Sequence, residues 1–214
     1  MTRTYVIERK SSLNLSVDPW RNVQEAKIDC FPWDNSGYRP ASFAKMFCTA
    51  DALHVLLRAA ETPVRATYEN LNDFVHRDSC LEFFLQPSPE NDDRYINFEM
   101  NPLGTPHLGL GMERKGRTLL GEDDRLLLDI RAASPNELSG RGDRSSWEIS
   151  FTIPFRFLER HYGPTDFSPG KRMRGNFYKC GDDTPQPHFG CWNPVEAKAP
   201  DFHRPEFFGE LIMG

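Results

Sequence analysis

The run Tyr95-Ile96-Asn97-Phe98-Glu99-Met100-Asn101 joins an apolar face to a polar one. If it is extended, Ile96, Phe98 and Met100 share one side, and Tyr95, Asn97, Glu99 and Asn101 share the other. Amides and a carboxylate in a row offer donors and acceptors at fixed spacing, as the floor of a polar ligand site would. An ordinary wet sheet face looks the same, and periodicity by itself favours that reading. Glu82, set against Leu81 and Phe83, would extend the polar row if the two runs pair. Trp192, in Gly190-Cys191-Trp192-Asn193-Pro194, is either a plug at the end of the fold or a platform for a sugar ring. Burying about 100 Å² of apolar surface on an indole contributes about 2.5 kcal/mol. Each hydrogen bond to a ring hydroxyl adds only about 0.5–1.5 kcal/mol. A sugar site therefore needs both kinds of group.

These residues must be positioned by strands. The dominant period is two: Trp147, Ile149, Phe151 and Ile153 alternate with polar residues, and similar alternation runs through 53–57 and 81–85. Further candidate strands are 3–8, 25–30, 42–48, 94–101, 107–114, 126–132, 173–180 and 207–213. Turn signals separate them: Asp34-Asn35-Ser36-Gly37, Pro87-Ser88-Pro89-Glu90-Asn91, Gly140-Arg141-Gly142-Asp143 and Gly181-Asp182-Asp183. About ten short strands so spaced predict an all-β, antiparallel, jelly-roll-like β-sandwich. One short helix is expected, opening at Pro154, with Phe155, Leu158 and Tyr162 as its apolar stripe and Gly163-Pro164 as its stop. With no internal repeat or linker, residues 1–214 read as a single domain. The stretch 181–206 lacks a period and is rich in Pro and aromatics, so it is either functional or a packed cap.

Composition narrows the function classes. A net charge of −5 argues against a nucleic-acid binder. No apolar run approaches the ~18 residues of a membrane span. Met1 to Glu8 hold no signal-peptide core, so the chain as written is expected in the cytoplasm, or outside it if a leader was trimmed. Cys30, Cys48, Cys80, Cys180 and Cys191 form no C-x-x-C and read as reduced, mostly buried thiols. His188 and His203 lack a zinc-ligand spacing. Arg141-Gly142-Asp143 reads as a turn, and Gly104, Gly109 and Gly111 do not form a phosphate loop. Two alternatives to sugar binding stay open. One is a glycoside hydrolase using Glu82 and Glu99 as its acid pair. The other is a haem or redox-partner domain, with Met100, Met112, His107 and Lys179 as candidate ligands.

Several segments, in order, resemble family 9 carbohydrate-binding modules and their stand-alone relatives in the DOMON-like sandwich group. They are Trp20, Ala26, Arg39 to Met46, Asp78 to Leu85, Tyr95 to Asn101, Trp192-Asn193-Pro194, and His203 to Leu211. The resemblance spans nearly the whole chain. It implies a non-catalytic sandwich that holds a mono- or oligosaccharide in carbohydrate catabolism. Such modules grip a glycan end between two Trp rings and often carry structural calcium. On this resemblance Trp192 stands for one ring, and Glu82 for a carboxylate that bonds sugar hydroxyls. His76 or Phe74 occupies the place of the second ring, and Glu99 stands where the family has a basic ligand residue. The expected binding set is Trp192, Glu82, Asn97, Glu99, Asn101, His76 and Lys179.

Overall fold

The computed structural model describes residues 1–11, 18–134 and 146–214; the turn at Gly140-Arg141-Gly142-Asp143 lies outside the described residues. The period-two runs form strands β1 (Thr4–Arg9), β2 (Glu25–Lys27), β3 (Ser42–Cys48), β4 (Ala52–Ala60), β5 (Cys80–Gln86), β6 (Tyr95–Met100) and β7 (Pro106–Gly111). They continue as β8 (Thr118–Leu119), β9 (Arg131–Ala133), β10 (Ser146–Pro154), β11 (Arg172–Cys180), β12 (Phe189–Cys191) and β13 (Gly209–Met213). The hydrogen-bonded order is β8-β7-β6-β5-β11-β13-β1-β3-β4-β10-β9, with β12 on β11 and β2 on β3. This path curls into the two faces of a β-sandwich.

Strand β1 is the hinge of the curl, and it departs from the antiparallel expectation. Thr4 to Ile7 pair in parallel with β13, and Glu8 and Arg9 pair in parallel with β3. One strand thus serves both sheets, so no edge opens between the first and last strands of the chain. Within the sandwich, Leu81, Phe83, Ile96, Phe98, Phe177 and Met173 meet Val55, Leu57, Ile149 and Phe151 in one core. Phe83 stacks on Phe177 at 4.8 Å between centroids.

Two local features bear on the periodic reading. The run 126–132 is mostly not a strand; a one-turn helix at Glu122–Arg125 precedes it and only Arg131 onward is extended. Asp129 sits at φ 39°, a left-handed conformation that interrupts an extended chain. The expected helix forms at Phe155–Tyr162, led in by Pro154 and ended at Gly163 with φ 77°.

Both strands that carry the polar row, β5 and β6, are buried along their full length. Their outer faces are covered by the segments around Val75 and 192–208. A second core forms there from Val75, Phe84, Tyr95, Tyr178, Val195, Phe202 and Phe208. The irregular stretch therefore packs as a cap, and a cleft opens between it and the sheet.

Candidate functional site

Strand register builds the floor of the cleft. Glu82 lies directly opposite Glu99 across β5–β6, Glu99 opposite His107 across β6–β7, and Glu82 opposite Tyr178 across β5–β11. Because alternate residues share a face, Cys80 and Glu82 on β5 and Tyr178 and Cys180 on β11 all point outward from the core. The cleft has a volume of about 440 Å³, within the roughly 300–1,000 Å³ typical of small-ligand pockets. Glu82, Glu99 and Cys180 meet it from below. Phe74, His76 and His107 border it on one side, and Phe189, Phe202 and His203 also line it. Arg114 and Asp201, both lining residues, form an ion pair at 3.1 Å.

The two floor carboxyls are almost without solvent contact, at 2% and 5% exposure. Burial pushes Glu82 well above the usual carboxylate range, and Glu99 opposite it adds like-charge repulsion. Glu99 is raised too, by burial, with His107 and His76 drawing it back down. Such buried acid pairs are costly to folding and are held for binding or chemistry more often than for stability. His107 Nδ1 lies 3.0 Å from the Asn72 carbonyl oxygen, which can only accept, so Nδ1 carries the proton. His203 is depressed to about 3, chiefly by burial, and pairs as a neutral ring with the Tyr95 hydroxyl at 2.8 Å.

Of the seven expected residues, the structure brings Glu82, Glu99 and His76 together in the cleft. Asn97 lies beside it but is spent on its neighbours: Nδ2 donates to Glu99 Oε1 at 2.9 Å, and Oδ1 accepts from Arg117 Nε at 2.8 Å. Asn101 is structural. Its Nδ2 donates to the Tyr68 carbonyl and to Asp78, and its Oδ1 accepts from the Leu103 and Thr105 amides.

Trp192 does not supply a platform. It is 4% exposed and belongs to the sandwich core, edge-on to Phe177 at 5.7 Å. The cause is parity: Phe189 and Cys191 pair opposite the outward Cys180 and Tyr178, so the next residue but one from Gly190 turns inward. The indole lies over Gly209, where an added Cβ would collide with the ring. Gly209→Ala is therefore expected to destabilise the protein by about 1–3 kcal/mol, measurable by denaturant unfolding.

Lys179 also turns inward, for the same reason. It is fully buried and bonded to Glu61 Oε2 at 2.9 Å, away from the cleft.

Sequence reasoning passed over the lining residues Phe189 and Phe202, and weighed His107 as a haem ligand and His203 as a zinc ligand without placing either in a sugar cleft. For His107 a signal existed, because strand alternation with Leu108 and Leu110 puts it on the outer face. The others sit in or beside the aperiodic cap.

The haem candidates do not converge. Met100 and Lys179 face the interior, Met112 is exposed, and only His107 reaches the cleft. His188 and His203 lie apart as well, the first bonded to Lys179 and the second to Tyr95. All five cysteines are free thiols, four of them buried. Calcium, which the resemblance implies, takes about six to eight oxygen ligands. Among the described residues, the group of three ligating side chains that comes together is Cys80, Glu82 and Cys180, whose two sulfurs do not fit calcium.

An all-β sandwich with a sugar-sized cleft on its outer sheet face, floored by carboxylates and bordered by aromatics, has the form of a small-ligand binding domain. The family model for carbohydrate-binding family 9 matches residues 16–213, and the chain belongs to that family. No curated protein matches it. Among solved structures, a Bacteroides uniformis protein provisionally assigned as carbohydrate-binding is 26% identical, with a TM-score of 0.85 over 100% of both chains. A family 9 module from Caldicellulosiruptor kristjanssonii, solved with glucose, is 14% identical, with a TM-score of 0.65 over 99% of this chain and 96% of that one. The same kind of module from that organism, solved with cellotriose, is likewise 14% identical with a TM-score of 0.65, over 99% and 93%. At that identity these two share the fold with this chain.

Proposed function

We propose that the outer-face cleft binds a monosaccharide or the end of a short oligosaccharide without transforming it. The observation that carries this reading is the buried pair Glu82 and Glu99 on the floor of a cavity bordered by Phe74 and Phe189. Carboxylates bond ring hydroxyls, and aromatic faces take the C–H side of a pyranose, so the cleft holds both groups that a sugar needs. The chemistry of the pair favours binding over hydrolysis. Glu82 and Glu99 project side by side from neighbouring strands, so a ring resting on them meets both from one side. Glycosidases set their two carboxyls flanking the scissile bond.

Phe74 takes over the platform role assigned by sequence to Trp192. It is 58% exposed, the Arg77 guanidinium lies 5.5 Å from its ring centre, and it meets His76 edge-on. The test is calorimetric titration with glucose and cellotriose, the sugars of the two Caldicellulosiruptor complexes. Covering about 100 Å² of Phe74 contributes about 2.5 kcal/mol. Phe74→Ala is thus expected to weaken binding several tens of fold while leaving Tm nearly unchanged, since the ring buries little in the free protein. Equal affinity in wild type and variant would remove Phe74 from the site, and no heat with any glycan would sink the reading.

A further inference from the structure

We propose that Cys80, Glu82 and Cys180 form a binding site for a soft divalent cation of the zinc type. The proposal goes beyond sugar binding and does not rest on it. Cys80 and Glu82, two residues apart on β5, share the outer face, and Cys180 on β11 lies directly opposite Cys80. Two rigid strands thus bring two sulfurs and a carboxylate oxygen within 4.8 Å of one another. Cys180 Sγ is 3.0 Å and Cys80 Sγ 3.9 Å from the same oxygen, Glu82 Oε1. A tetrahedral ion with bonds of about 2.3 Å to sulfur and about 2.0–2.2 Å to oxygen needs its ligand atoms roughly 3.5–3.8 Å apart, so only a small adjustment is required.

Charge and donor type agree with this geometry. Coordination replaces the two thiol protons by one divalent ion, so two thiols and a carboxylate become two thiolates and a carboxylate around M²⁺ with the same net charge. The two protons leave to solvent. Two thiolates select zinc, cadmium or cobalt over calcium and magnesium. Glu82 and Cys180 line the cleft, so the remaining coordination position opens toward it and not into the protein. Cys30 and Cys191 supply a built-in comparison. They also face each other across a β-bridge, but no carboxylate joins them in a ligand group among the described residues.

The test titrates the full chain, reduced and freed of metal by chelator, with cobalt(II). A thiolate-to-cobalt charge-transfer band saturating at one ion per chain, and bleached by zinc, is expected. Cys80→Ser and Cys180→Ser should each abolish most of the band, and the Cys30→Ser/Cys191→Ser variant should keep it. X-ray absorption on the zinc-loaded wild type needs no variant to fold, and should show two sulfurs with lighter atoms in the first shell. No band in the wild type, a sulfur-free first shell, or a band lost only with Cys30 and Cys191 would overturn the proposal. Glucose titration of the chelated protein, run in parallel, scores the sugar reading separately.

Discussion

Glu82→Gln is expected to weaken sugar binding roughly ten- to hundredfold and, at the same time, to raise the melting temperature. The first effect follows from losing the carboxyl group's hydrogen bonds to ring hydroxyls, worth about 0.5–1.5 kcal/mol each. The second follows from the free protein. Glu82 is 2% exposed and directly opposite Glu99, so both burial and repulsion oppose its charge. Gln has the same shape, keeps an oxygen for the Cys180 thiol that now donates to Oε1 at 3.0 Å, and carries no charge. Binding sites commonly keep such destabilising groups because the ligand, not the fold, satisfies them. Isothermal titration with glucose and a thermal melt of the same preparations measure both quantities. A variant that binds as well as wild type, or melts lower, would show that the carboxylate serves the fold instead.

The strands were legible because alternation is a direct consequence of the pleat. The run 81–85, the run 147–153 and the row 95–101 each fall where the structure has β5, β10 and β6. Parity also settled which residues share a side, and it placed Glu82 and Glu99 on one face correctly. What alternation does not reveal is what covers that face. Both sides of β5 and β6 are buried, one by the opposite sheet and the other by a cap with no period, so the outward amides of Asn97 and Asn101 meet protein and not ligand. The cap also holds the expected platform, Trp192, which the structure turns into the core. Trp192 drew attention by its type, yet its position one step beyond the outward Cys191 required an inward ring. Phe74, whose ring stands exposed at the cleft, lies in a turn before β5 that has no period, so only the family resemblance pointed to it, jointly with His76, as the place of the second ring. Lys179 was misread for a related reason. A lysine in a strand suggests solvent, but its parity with Phe177, a core residue, puts the ammonium inside.

That buried ammonium leads to the largest stability effect expected in the molecule. Lys179 Nζ has three protons and meets three acceptors: Glu61 Oε2 at 2.9 Å, the Cys180 carbonyl at 2.8 Å and His188 Nε2 at 2.8 Å. For Nε2 to accept, the His188 proton must sit on Nδ1, which donates to the Gln186 carbonyl at 2.8 Å. Burial and the neighbouring ammonium together hold this neutral ring down to about 4. Trp147 Nε1 donates to Glu61 Oε2 at 3.2 Å, while Glu61 Oε1 has no hydrogen-bond partner among the described residues and lies 3.8 Å from His188 Nε2. Lys179→Met strands the Glu61 charge in the interior, and breaking a buried pair on one side costs about 3–5 kcal/mol. In a chain of this size that corresponds to a fall of roughly 6–20 °C in Tm. The Lys179→Met/Glu61→Gln double variant should recover most of the loss, because the two sites act as one unit.

The pH dependence should change sign at this cluster. In the wild type, His188 stays neutral in the folded state while the unfolded chain takes up its proton near 6.5. The stability that His188 contributes is therefore complete above about pH 6.5 and is lost as pH falls toward about 4. In Lys179→Met the cation that opposed protonation is gone and the Glu61 anion remains, so the folded state gains a reason to protonate His188. The deficit of the variant should accordingly narrow between about pH 7 and about pH 5, where wild type weakens and the variant does not. Urea unfolding of both proteins at those two pH values measures the difference. A deficit that is constant or wider at the lower pH would mean that His188 does not take over from the lost ammonium, and that the three side chains do not share a single proton balance.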